Sequence, residues 1–263
     1  MKPVFSFQRG TTPLLVSIPH AGVFVPREIN DRLTTWAREL PDTDWYVDRL
    51  YQWVTKQGGG LLIANYSRYV IDLNRSPDDA PLYSAGGPGL LPEHAFDGGS
   101  LYKYGRGPGA DEARERLRRY WQPYHDKLAS ELDEIRHQFG HAVLLDAHSI
   151  LSEVPALFEG TLPDLNLGSF KGASAGKGLV SASMAALEVD PYYSTILDGR
   201  FQGGYITRNY GSPDNAVHAL QLEMAQSTYM NESRSYDDSR ALRILPVLQG
   251  LVDAMIRWTP TDG

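Results

Sequence analysis

The sequence predicts an α/β fold, a mixed, largely parallel central sheet flanked by helices, and three observations carry that expectation. Apolar runs of strand length alternate with longer stretches of helical periodicity. Two of the runs, Leu14-Leu-Val-Ser-Ile-Pro-His20 and Ala142-Val-Leu-Leu-Asp-Ala-His148, have an apolar body and a polar tip, as strands of a sheet covered on both faces do. No linker, internal repeat or low-complexity tract divides the 263 residues, so 1–263 is expected to form a single domain.

Taken in order, the first strand is expected at 13–18, ending at His20. A helix follows over 41–58: Pro41-Asp-Thr-Asp-Trp45 has the form of a capped start, with Asp42 as N-cap, and Val47, Leu50, Tyr51 and Val54 make an apolar stripe that stops at Gly58-Gly-Gly60. Strands are read at 61–65 and 68–72. The stretch 76–109 carries Pro77, Pro81, Gly86-Gly-Pro-Gly89 and Gly105-Arg-Gly-Pro-Gly109, and a loop this long is read as the rim of an active site. From 111 to 140 a charged run leads into Leu128, Leu132 and Ile135, a long helix that Pro123 should kink or break. Strands at 142–147, 192–197 and 216–224 and a last helix over 238–258, with Pro246 inside it, complete the prediction.

Composition narrows the function. The chain has no cysteine, which excludes disulfides, thiolate zinc sites and cysteine nucleophiles, so any metal must be held by His, Asp or Glu. A formal net charge of −7 argues against nucleic-acid and anionic-membrane partners, which need basic surface, and leaves a small molecule. Neither a signal-peptide core nor a run approaching roughly 20 apolar residues is visible, so the expected location is the cytoplasm.

His20 and His148 end separate strands, and ligands of open α/β sheets bind beyond the carboxyl ends of strands. Catalytic zinc commonly takes two histidines and one carboxylate. Asp44 is chosen as that carboxylate over Asp48, which lies one turn later and could instead support a ligand histidine; Asp146, two residues before His148, is a second such partner. Arg68 and Arg75 flank a short apolar stretch with Asn74 beside the second, an arrangement suited to an anion unless the arginines simply pair with Asp72 or with Asp78 and Asp79. Alternation turns Gln221 and Glu223 away from Leu220 and Leu222, as on a surface strand or as for a general base. Gly203-Gly-Tyr-Ile-Thr-Arg208 reads as a glycine-hinged loop carrying a cation. His125 and His218 are read as packed or exposed histidines, and His94, His137 and His141 are given no role.

Seven segments, in order, resemble one family: Ser17-Ile-Pro-His-Ala-Gly22, Arg68-Tyr-Val-Ile-Asp-Leu-Asn-Arg75, Tyr124-His125 with Leu128, Leu144-Leu-Asp-Ala-His-Ser149, Asp164-Leu-Asn-Leu-Gly168, Gly203-Gly-Tyr-Ile-Thr-Arg208 and Ala219-Leu-Gln-Leu-Glu223. Together they resemble the N-formylglutamate amidohydrolase family across nearly the whole chain. The resemblance implies removal of formate from N-formyl-L-glutamate at the end of one histidine-degradation route, and a fold similar to the zinc carboxypeptidases and aspartoacylase. It implies zinc on His20 and His148, Glu223 as general base, Arg68 for the oxyanion and Asn74 with Arg75 for one substrate carboxylate; Asp44 is read as the third ligand and Arg208 as a candidate for the other carboxylate. The carboxypeptidase group has its carboxylate ligand three residues after the first histidine, where this chain has Val23, so Asp44 rests on the local reading instead. Another metalloamidase, acting on acyl amino acids or cell-wall peptides, and a non-catalytic dicarboxylate-binding protein are the alternatives.

Overall fold

A computed structural model describes residues 2–81 and 88–260. Its centre is a seven-stranded sheet of β1 (Phe5–Gln8), β2 (Leu14–Ile18), β3 (Gly60–Ala64), β4 (Ala142–Ile150), β5 (Leu165–Gly168), β6 (Thr195–Leu197) and β7 (Val217–Ala225). The spatial order is β1-β3-β2-β4-β7-β5-β6. β3, β2, β4 and β7 run parallel, while β1 and β5 pair antiparallel to β3 and β7. The helices are α1 (Arg27–Asn30), α2 (Val47–Leu50), α3 (Ala110–Arg116), α4 (Gln122–Phe139), α5 (Lys177–Leu187), α6 (Tyr205–Tyr210) and α7 (Asp238–Arg257). Among the described residues no helix is long and apolar enough to cross a membrane.

Alternation along the strands feeds two cores. Leu14, Val16 and Ile18 of β2, Val143, Leu145 and Ala147 of β4, and Leu220 and Leu222 of β7 face α5 and α7. The stripe Ile244, Val247, Leu248, Leu251 and Met255 recurs at helical spacing and lays α7 on that face, each fully buried side chain contributing about 1.5–3 kcal/mol. Asp237 caps α7 through Ser239 N and Arg240 N. On the opposite face Leu15, Leu144 and Ala219 meet Tyr124, Leu128, Leu132 and Ile135 of α4.

Several expectations are corrected. Residues 68–72 are a buried turn, closed by Val70 N to Ser67 O at 2.8 Å; Tyr69, Val70 and Ile71 are apolar because they pack against α4's core, which a short run cannot distinguish from a strand. Helix over 41–58 shrinks to α2 and a 3-10 stretch, Gln52–Gln57, because the preceding turn is held to the end of β2 by Asp44 N donating to His20 O at 3.2 Å. Asp42 therefore caps nothing; its carboxylate accepts from Tyr69 Oη at 2.9 Å and from Phe96 N at 3.0 Å. The 111–140 helix is continuous, but Pro123 falls just after a π-helical turn, Leu117–Trp121, which absorbs the missing N–H. The glycine-hinged loop is the start of α6. A Cβ at Gly204 would lie 2.3 Å from Asn74 Nδ2, so glycine there is what lets the helix reach Asn74. β1, β5 and α5 have no counterpart in the sequence reading. Residues 82–87 of the 76–109 loop lie outside the described residues.

Candidate active site

The site grows out of one face of three parallel strands. Register pairs Ser17 of β2 with Asp146 of β4, Asp146 with Gln221 of β7, and His148 with Glu223. The α4 side of the sheet thus passes from an apolar layer to a layer of Ser17, Asp146 and Gln221, and then to His148 and Glu223. His20 stands two residues beyond β2, and the turn before α2 brings in Asp44.

His20, Asp44 and His148, all buried, offer ligand atoms within 4.8 Å of one another. Asp44 Oδ2 lies 2.9 Å from His148 Nδ1 and 3.8 Å from His20 Nδ1. The far ring nitrogens are held by carboxylates: His20 Nε2 to Asp72 Oδ1 at 2.8 Å and His148 Nε2 to Asp146 Oδ2 at 2.9 Å. With Nε2 held by a carboxylate, each ring turns its Nδ1 toward the other two side chains, the arrangement that supports metal-binding histidines. Asp48 stays half-buried on α2, outside this group. Asp146 supports His148, whereas Asp72, read from the sequence only as an ion-pair partner, supports His20.

Charge in this buried cluster sets the protonation states. Burial lowers the proton affinity of His20, and Arg68 adds to that against the pull of Asp72. Burial also disfavours a charged His148, but Asp146 and Asp44 outweigh it and hold its pKa well above the ordinary range. Burial penalises the Asp44 carboxylate too, yet His148, His20 and Arg68 bring its pKa below the usual value. Glu223 is pushed up to about 8, chiefly by burial, with His148 opposing and Asp44 adding to the rise. Gln221 Nε2 donates to Glu223 Oε2 at 3.3 Å.

The cations divide. Arg68 forms the ion pair with Asp72, at 2.7 Å, lies 3.6 Å from Asp44, and packs its guanidinium 4.7 Å from the Phe96 ring centre, so it is both paired and part of the site. Asn74 donates Nδ2 to Asp146 at 3.1 Å and accepts from Ile206 N at 2.8 Å. Arg75 donates to Pro88 O and to its neighbour's carbonyl. His20, Asp44, Arg68, Asn74, Arg75, His148 and Glu223 line one small cavity, of about 80 Å³, together with Gln221, Phe96 and Arg200. Arg208 is not in its lining; it donates to Gly203 O at 2.8 Å and packs on Phe170. His94, His125, His137, His141 and His218 also lie outside the lining. Gln221 was legible as the residue sharing the Glu223 face. Arg200 had no such signal, because it sits on an irregular connection after β6.

An α/β sheet with a buried His–Asp–His group at its strand ends, a glutamate in register with one histidine and arginines on the same cavity has the makings of a hydrolase. The model of the N-formylglutamate amidohydrolase family matches residues 12–230, and this chain belongs to that family. It is 46% identical over 260 residues to an N-formylglutamate deformylase of Pseudomonas putida, covering 98% of this chain and 97% of the other. A Pseudomonas aeruginosa N-formylglutamate deformylase is likewise 46% identical, with 98% of both chains covered. The crystal structure of N-formylglutamate amidohydrolase from Ralstonia eutropha JMP134 superposes with a TM-score of 0.80 at 26% identity, covering 95% of this chain and 96% of that one. A protein of Agrobacterium tumefaciens shares the fold, with a TM-score of 0.74 at 16% identity over 96% of this chain and 94% of its own.

Proposed function

We propose that this protein hydrolyses N-formyl-L-glutamate to formate and L-glutamate, using a divalent metal, zinc by the chemistry of its donors, at His20, Asp44 and His148. The observation that carries the reading is the convergence of those ligand atoms within 4.8 Å, beside Glu223 and the arginines of a single cavity. The names of the curated relatives support the substrate. Two imidazoles and a carboxylate, each histidine backed by a second carboxylate, fit zinc better than the hard, all-oxygen cations. When bound there, the ion supplies Lewis acidity, polarising the formyl carbonyl and making a water easier to ionise.

The chain's own groups do the rest. Glu223, in register with His148 and lining the same cavity, is placed to take a proton from the attacking water and return it to the departing nitrogen of glutamate. Arg68 is fixed by Asp72, by Asp44 and by donation to Asp42 O at 3.3 Å, so it meets the developing oxyanion without reorganising, a contribution of about 3 kcal/mol. Asn74 and Arg75 hold a substrate carboxylate beside the ligands. The reaction would close one route of histidine degradation. The test is formate release from N-formylglutamate by metal-analysed protein: activity should vanish on chelation and return with zinc. Absence of formate from fully metal-loaded protein would refute the reading.

A further inference from the structure

A dianionic substrate has two carboxylates, and the cavity is lined by three arginines, Arg68, Arg75 and Arg200. Arg68 pairs with Asp72 and lies beside Asp44, and Arg75 and Arg200 are set around the remainder of the cleft. The geometry points to Arg200 as the residue that recognises the side-chain carboxylate of the substrate, an assignment that rests on the deformylase reading and replaces Arg208 in that role.

Position separates the two arginines. Asn74 Nδ2 is 3.0 Å from His148 Nε2, so the Asn74–Arg75 pair lies against the metal-ligand group and suits the carboxylate on the carbon that bears the formamide nitrogen. Arg200 is exposed at the mouth, and its Nε donates to Leu157 O at 3.0 Å across the cleft. Phe96, Ile150, Leu157 and Phe201 share the lining and provide apolar wall for two methylenes. A carboxylate carried past that wall needs a cation at the end of it, because a charge against apolar surface without a partner is costly.

Arg200 is also held in place. The Asp198 carboxylate accepts from Ser169 N at 2.7 Å, Phe170 N donates to Gln202 O at 2.7 Å, and Gly204 N donates to Gln221 Oε1 at 2.7 Å. The connection is tied at three points around Arg200, and Arg208, bonded to Gly203 O, braces it from outside the cavity.

The test compares kcat/KM for N-formylglutamate and for N-formylglutamine, which has the same shape but no side-chain charge, in wild type, Arg200→Gln, Arg200→Lys and Arg75→Gln. Metal content and melting temperature confirm folding. Arg200→Gln should lower the preference for the charged substrate on the order of 30-fold, mostly through KM, with Arg200→Lys between it and wild type. Arg75→Gln should depress both substrates together. Parallel losses on both substrates in Arg200→Gln, or an unchanged preference, overturn the assignment while the deformylase reading stands. A wild type that releases no formate from either overturns both. If Arg200→Gln does not fold, Arg200→Lys decides by the same ratio.

Discussion

At the residue scale, the proposed metal site depends on how each candidate ligand is supported. Because Asp72 fixes His20 and Asp146 fixes His148 through Nε2, Asp72→Asn should weaken metal affinity by about 10- to 100-fold although Asp72 is no ligand. Asp44→Ala should weaken it further and Asp48→Ala hardly at all; the reverse order, measured by competition with a chromogenic chelator, would make Asp48 the ligand. His148 holds its proton tightly between Asp146 and Asp44, so metal binding must expel it, and affinity should fall as pH is lowered. Glu223→Gln should retain metal and lose roughly 10²-fold or more in turnover. The two histidines were legible because an apolar run with a polar tip is a strand delivering a side chain. Asp72 was not, since four residues after Arg68 it explained itself as an ion pair. It is one, and its other oxygen serves His20.

At the element scale, the π-helical turn ahead of α4 places Trp121 and His125 over the loop that presents Asn74. Trp121 Nε1 donates to Arg75 O at 3.0 Å, His125 Nε2 donates to Leu73 O at 2.9 Å, and the two rings stack at 3.7 Å. His125, read as a packed or exposed histidine, is packed. Burial holds it neutral, with a pKa lowered to about 4. The unfolded chain, with an ordinary value near 6.5, therefore binds more protons between those limits, and stability present above about pH 6.5 is lost as pH falls toward 4. The loss is on the order of 3 kcal/mol. In urea titrations of metal-free protein, His125→Phe should flatten this slope in part, because His218 is also lowered to about 4 and keeps its share. An unaltered slope would mean that His125 is protonated in the folded chain. Long periodic elements such as α4 and α7 could be read from sequence, whereas 68–72 and 41–58 could not. The start of 41–58 is a turn held by His20, Tyr69 and Phe96, and 68–72 is a turn held by His20 and Phe96, partners far away in the chain in each case.

At the scale of the whole molecule, the site joins the ends of β2 and β4 to the turn before α2, so a metal ion there ties together segments that are distant in sequence. At 100 times its dissociation constant, the ion should add about 2.7 kcal/mol and raise the melting temperature by roughly 5–10 °C. Chelation should reverse the shift in wild type and cause none in His20→Ala. A melting temperature indifferent to zinc would remove the metal from the folded state. The parallel core of the sheet was legible from its apolar runs; β1 and β5, four residues each, were too short for a period to show. The pairing of Asp146 with Gln221 and of His148 with Glu223 also bears on how such a chain can vary in length. One residue inserted in β4 or β7 ahead of these positions would exchange the two faces of the strand, presenting Ala147 or Leu222 to the site and burying His148 or Glu223 in the opposite core. Chain length is therefore frozen in these strands and constrained in the tied connection at 198–204, which leaves the connection at 151–162, whose Leu157 lines the cavity, as the wall most open to change. Insertions there can re-cut the choice of substrate while the reacting groups stay in register.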